Sequence, residues 1–193
     1  MKRIALLAVL ALLVVVPGMA FAQTENHVEF GPFADYFRLD QNNVTNFVGV
    51  GGRLGVYVNP YTSIEGEIAY DFARNNSFTT NNGLTTSFVT TRLRPLTGLF
   101  GPKFQFSKGH FDAFATGKVG FVHFSNTCQD CVGFVGAVNG ITDGDTRFAL
   151  YPGVGLEGFW GPFGLRFDVG DQIYFLNGAQ HNLRMTFGPH FRF

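Results

Sequence analysis

The 193-residue chain carries 24 Phe, 25 Gly, 14 basic and 14 acidic side chains, and charged residues make up only 15% of it. A formal charge of zero leaves no basic footprint for nucleic acid, and Phe and Gly spread along the whole chain argue against disorder. Only the extreme N-terminus approaches the run of about 20 apolar residues that a membrane helix requires.

That N-terminus reads as a targeting signal. Met1-Lys2-Arg3 is a short basic start, Ile4 to Val16 is apolar, Pro17-Gly18 breaks the run, and Ala20-Phe21-Ala22 offers small residues around a cleavage point. Thirteen apolar residues are too few for an anchor. Residues 1–22 are expected to be a cleaved signal peptide and residues 23–193 a single domain. Removing Lys2 and Arg3 leaves 12 basic against 14 acidic residues, a net charge of −2. Export also places the two cysteines where thiols oxidise.

After the signal the chain alternates with a period of two, the mark of strands with two different faces. Segment one, about 27–39, alternates only roughly. In segment two Val48, Val50, Leu54, Val56 and Val58 oppose Phe47, Gly49, Gly51, Arg53, Gly55 and Tyr57. In segment three Ile64, Ile68, Tyr70 and Phe72 oppose Glu65, Glu67, Ala69 and Asp71. Rougher segments cover about 94–106, 110–124, 146–159 and 163–175. The last is clear again: Leu183, Met185, Phe187, Pro189, Phe191 and Phe193 oppose Asn182, Arg184, Thr186, Gly188, His190 and Arg192. No stretch has a 3.6-residue apolar period, so almost no helix is expected.

Short connections at 59–62, 107–109 and 160–162 alternate with Asn-, Thr-, Ser- and Gly-rich stretches at about 75–92 and 125–145. Short turns on one side, long loops on the other and aromatics at strand ends are the asymmetry of outer-membrane barrels. The expected fold is all-β: an eight-stranded antiparallel up-and-down transmembrane β-barrel. A secreted β-sandwich or lipocalin-like cup would also alternate, but the charged face here is too thinly charged to coat a soluble exterior. The apolar face is therefore turned to lipid. It comprises the even residues of segments two, three, four and six and the odd residues of segments five, seven and eight.

The opposite parity sends Arg53, Lys103, Lys118, Arg147, Arg166, Arg184 and Arg192 inward, together with Glu65, Glu67, Asp71, Asp112, Glu157 and Asp168. Seven cations against six anions suit a network of buried ion pairs, whereas a selective pore favours a ring of one sign. Four Gly-Pro steps follow an aromatic, at Pro32, Pro102, Pro162 and Pro189. Proline cannot donate to a ladder. Pro162 falls in a turn, and local bulges are expected at the others.

The signal, the eight segments and the terminal Asn182-to-Phe193 strand resemble the OmpA/OmpX-type outer-membrane β-barrel superfamily. The resemblance is to barrel-only members, since the last strand closes the sequence, and no peptidoglycan-binding domain is expected. It implies an outer-membrane location and a monomer, with terminal Phe193 read by the barrel-assembly machinery during insertion. Outer-membrane lipid and lipopolysaccharide are the implied surroundings. Arg38 and Arg94, near the external strand ends, are candidates to meet lipid phosphate, for which the guanidinium fork is suited. Simple solvation is the alternative for both.

Motifs with chemistry are sparse. Cys128-Gln129-Asp130-Cys131 has redox spacing but no βαβ context, so a small loop disulfide between Cys128 and Cys131 is expected. Asp143-Gly144-Asp145 falls short of a calcium site, and no metal or other cofactor is expected. His123-Phe124-Ser125-Asn126 resembles the His-x-Ser-Asn motif of outer-membrane lipid A deacylases. That resemblance would make His123 the base, Ser125 the nucleophile and Asn126 the oxyanion donor, but the acidic residue that family places downstream is missing before Glu157. The expected role is structural, envelope-supporting or surface-interacting through the external loops, not enzymatic. A deacylase-like enzyme and a narrow channel are the alternatives.

Overall fold

The computed structural model describes residues 27–40, 44–81, 86–107, 109–129, 141–176 and 178–193, with side chains at 76–91 and 128–129 outside that description. The expected signal segment and Cys131 lie outside the described residues, as does the Cys128 side chain. Among the described residues there is no helix. Eleven strand segments form: β1 Val28–Leu39, β2 Thr45–Asn59, β3 Thr62–Asp71, β4 Arg74–Asn81, β5 Thr86–Gln105, β6 Phe111–Gln129, β7 Asp145–Trp160, β8 Phe163–Asp171, β9 Ile173–Phe175, β10 Ala179–Gln180 and β11 Leu183–Arg192. They build eight staves, since β3 continues into β4, β8 into β9 and β10 into β11. Every pairing is antiparallel, and β1 pairs with both β2 and β11. The sheet is closed around its eight staves, as the alternation predicted, while the extensions β4 and β10 each pair on one side alone among the described residues.

The two ends differ. One carries the first and last described residues and the tight connections at Pro60-Tyr61, after Gln105 and at Gly161-Pro162, where Gly161 has φ 67°. We call it the turn end. The other, the hairpin end, is built taller than its composition suggested. Residues 75–92, expected as a loop, are mostly ladder: Arg74–Asn81 pairs with Thr86–Leu93. Their Thr, Phe and Val content carries strand propensity, which the Asn and Ser among them obscured. Likewise β6 runs to Gln129 and β7 starts at Asp145, so the 125–145 loop is shortened from both sides.

The outer wall follows the expected parity. Ile68 and Val154 are 56% and 57% exposed, and the neighbouring inward Ala69 is 1% exposed. Segment one is resolved by its register. Asp35 lies opposite Gly49 and Thr186, so Glu29, Gly31, Phe33, Asp35, Phe37 and Leu39 point inward and are buried. The inner face of β2 leaves them room: a Cβ added at Gly51 would run into the Phe33 ring.

The expected bulges at the strand prolines do not form. The register is unchanged from the Phe30–Phe191 pair to the Ala34–Phe187 pair, and from Phe100–Val119 to Lys103–Thr116. Pro32 and Pro189 instead stand opposite one another across the β1–β11 seam, so both missing donors fall in one gap of the ladder. Their preceding glycines sit where the opposite strand comes close. A Cβ at Gly31 would collide with the Pro189 carbonyl, and one at Gly188 with the Pro32 carbonyl. The register does shift beside another proline, Pro95. Between the Tyr70–Leu96 and Arg74–Leu93 pairs, β3–β4 spends one residue more than β5. This is the bulge that separates β3 from β4.

Candidate functional site

The barrel interior is the most constructed region of the molecule, and it falls into two layers. Toward the turn end, Lys103 on β5 reaches three carboxylates: Glu29 at 2.6 Å, Glu65 at 3.3 Å and Glu157 at 3.3 Å. Glu29 also accepts from Tyr57 Oη at 2.7 Å and Ser63 Oγ at 2.9 Å, and lies 3.1 Å from His190 Nε2. Glu157 accepts from the Gln105 amide. Glu29, Glu157 and His190 bring one potential metal-binding atom each within 4.8 Å of one another. The Lys103 ammonium already stands against two of them, in the place a cation would take.

One step up, Glu65 pairs with Arg166 at 2.5 Å and Lys118 at 2.8 Å, and Glu67 with Lys118 at 2.6 Å and Arg184 at 2.7 Å. Asp168 joins Arg53 at 2.6 Å and Arg166 at 3.2 Å, and accepts from Tyr151 Oη at 3.1 Å. Asp35 holds Arg184 Nε at 2.9 Å. Aromatic faces pave the gaps: Arg53 lies 4.4 Å from the Phe33 ring centre and Arg166 4.1 Å from that of Phe114. Such pairs hold only where each charge finds its partners, because desolvation costs several kcal/mol per ion.

Above this network, toward the hairpin end, the interior turns apolar. Phe37, Leu39, Phe47, Leu93, Val122, Phe124, Ile141, Ala149, Tyr151 and Tyr174 pack into one buried cluster. Phe124 and Tyr174 meet edge to face at 5.4 Å, and Phe37 and Phe47 stack at 6.1 Å. Asp71 lies at the boundary. It is fully buried, and neither carboxylate oxygen has a hydrogen-bond partner among the described residues.

The expected balance of seven cations to six anions is corrected on both sides. Glu29 and Asp35 join the acids, making eight. Arg147 leaves the network, because its guanidinium pairs with Asp145 at 2.9 Å near the hairpin end. Arg192 reaches Asp112 only at 3.8 Å, near the turn end. Glu29 and Asp35 were missed because the odd face of β1 mixes them with Phe33, Phe37 and Leu39 while its even face carries Arg38, so neither face is cleanly apolar. The signal that would have found them is cross-strand: pairing β1 against the glycines of β2.

The other sequence candidates lie apart from this network. His123 and Ser125 lie on the outer face of β6 near the hairpin end, while Asn126 is on the inner face and buried. His123 Nδ1 lies 2.7 Å from Thr146 Oγ1 on the neighbouring β7. The Asn126 backbone N–H donates to Asp143 at 2.8 Å. The structure does not gather the tetrad into one constellation. Arg38 and Arg94 are on the outer wall at the hairpin end, as parity placed them. Arg38 is 4.0 Å from Asp40, and Arg94 donates to Tyr70 Oη at 2.8 Å. Asp171 stays at the outer rim, held by His181 at 2.5 Å and by the Asn182 N–H at 2.9 Å. Phe193 is tied into the seam, its N–H donating to the Val28 carbonyl at 2.9 Å, with its ring stacked 6.0 Å from that of Phe30.

Among curated proteins no match is found. Solved structures match the fold. Neisserial surface protein A superposes with a TM-score of 0.56 at 10% identity, over 86% of this chain and 97% of that one. The N-terminal β-barrel domain of Pseudomonas aeruginosa OprF gives 0.55 at 12%, over 88% and 100%. The Yersinia pestis attachment invasion locus protein Ail, in complex with the heparin analogue sucrose octasulfate, gives 0.51 at 14%, over 87% and 97%. At such identities the likeness concerns the fold, an eight-stranded outer-membrane barrel. The family described as the outer membrane protein beta-barrel domain matches residues 8–191. With that match spanning nearly the whole chain, and with lipid-type alternation around a closed eight-stave wall, this chain belongs to the outer-membrane β-barrel family.

Proposed function

We propose that the chain is a non-conducting integral scaffold of the outer membrane. On this reading it is exported by its N-terminal signal, assembled through its Phe193-terminated strand, and acts as a monomer. Its role is structural or envelope-supporting, with surface interactions at the hairpin end, which faces outward. The observation that carries the reading is the filled interior: a paired ionic layer closed above by a packed apolar layer. Eight staves enclose a space that side chains alone can fill, and here both layers fill it. Conduction would require breaking several shared pairs together and parting the Phe37–Phe47 and Phe124–Tyr174 contacts.

Planar-bilayer recording of the folded monomer tests this. No steady current is expected, and ion-selective conductance would overturn it. The same preparation incubated with lipopolysaccharide tests the enzymatic alternative: released acyl chains would replace the scaffold reading with a deacylase.

A further inference from the structure

The cations of the hairpin end are not distributed around the rim. Among the described residues Arg38, Arg74, Arg92 and Arg94 all lie on the adjacent staves β1 to β5, within one rung of a single line. Arg38 is opposite Asn46, the Asn46 carbonyl accepts from Arg74 Nε at 3.1 Å, Arg74 is opposite Leu93, and Arg92 and Arg94 flank Leu93. With staves about 4.8 Å apart, three gaps give an arc of roughly 15 Å. The facing half of the rim, β6 to β11, has no outward arginine or lysine among the described residues. It presents His123 and Thr146, and the Asp171–His181 pair.

The height of the arc is also fixed. Just below it the wall is apolar and exposed, with Val48, Val50, Tyr70 and Phe72 between 41% and 53% accessible. Tyrosines sit at the junction: Tyr36 donates to Asn46 Oδ1 at 2.9 Å, and the Arg94 guanidinium lies 5.1 Å from the Tyr70 ring centre. Tyrosine rings mark the headgroup level of a membrane wall. Among the described residues the only acid beside the arc is Asp40, more than half exposed and 4.0 Å from Arg38, which is too weak a pair to neutralise it. Guanidinium groups held at headgroup height, with no carboxylate nearer than 4.0 Å among the described residues, are suited to phosphate.

We infer that Arg38, Arg92 and Arg94 form a one-sided site for the phosphate groups of a phosphorylated glycolipid in the leaflet at the hairpin end. This rests on the outer-membrane reading above. The barrel then has a front, where such lipid is retained, and a back, where it is not.

The test uses the full-length barrel in phosphatidylcholine nanodiscs doped with diphosphorylated lipid A, with retained lipid counted by native mass spectrometry. Wild type should retain lipid A over its dephosphorylated form. The Arg38→Gln/Arg92→Gln/Arg94→Gln variant should lose that preference by about tenfold or more, and the three Arg→Lys changes should keep part of it. A circular-dichroism melt checks that the variants are folded. Equal retention by wild type and the glutamine variant, or equal retention of dephosphorylated lipid, would overturn the site. So would displacement of lipid A by millimolar inorganic pyrophosphate, which would mark the arc as a soluble-anion site. If the hairpin end faced the other leaflet, protease accessibility of the 82–85 connection in intact cells would show it. The orientation reading would then fail while the nanodisc result stood.

Discussion

The two layers of the interior are the same barrel filled by opposite chemistries. Near the turn end a charge belongs there only because its partners do: Lys103 is shared by Glu29, Glu65 and Glu157, so each pair depends on the next. Near the hairpin end Phe37, Phe47, Phe124 and Tyr174 need no particular partner, only volume. The ionic layer is specific and unforgiving, and the apolar layer is tolerant and graded.

Breaking the ionic layer should cost most. Lys103→Met leaves three carboxylates without their shared cation, and a stranded buried charge costs about 3–5 kcal/mol. Urea titration of the barrel folded in liposomes should show the loss, and a neutral result would mean the interior is wetter than its burial indicates. In the apolar layer Phe124→Leu keeps most of the volume and should cost about 1 kcal/mol, whereas Phe124→Ala should cost about 3–4 kcal/mol. That grading is the test: equal losses for the two would deny the layer its tolerance.

The outer wall provides a third measure. Ile68→Arg and Val154→Arg should each cost about 2–4 kcal/mol near the bilayer midplane, and two neutral outcomes would refute the face assignment. The smallest effect is expected where the layers meet. Asp71 is buried beside Asp35 with no hydrogen-bond partner for its carboxylate among the described residues, so Asp71→Asn should be neutral or gain about 1 kcal/mol. A clear loss would show that Asp71 belongs to the ionic layer after all.

The sequence was legible where a strand's two faces differ chemically. β2 sets valines against glycines and Arg53, so its outward face could be read without any partner. β1 was not legible: one face sets Arg38 beside Phe30, Ala34 and Tyr36, and the other sets Glu29 and Asp35 among Phe33, Phe37 and Leu39, so each face mixes charge with apolar bulk. Its acids could be placed only through the register to β2 and β11. The apolar layer escaped for a related reason, since its Phe37, Phe47 and Phe124 were indistinguishable from interface aromatics. At the rim, Arg38 and Arg94 were found by parity. Arg74 and Arg92 were hidden in a stretch whose Asn and Thr content concealed a ladder, so the arc as a whole emerges only in three dimensions.

The paired prolines of the seam have a geometric consequence for the whole barrel. Each proline carbonyl lies where the opposite strand offers a glycine, Pro189 against Gly31 and Pro32 against Gly188. Sliding β11 by two residues in either direction would press those carbonyls on the side-chain-bearing Glu29 or Phe33, and Thr186 or His190. The seam therefore acts as a key with one fitting position. In a closed sheet the offset at the seam is the shear, and the shear together with the number of staves sets tilt and radius. Two Gly-Pro steps, one near each end of the described chain, thus fix the bore into which the charges and rings must fit.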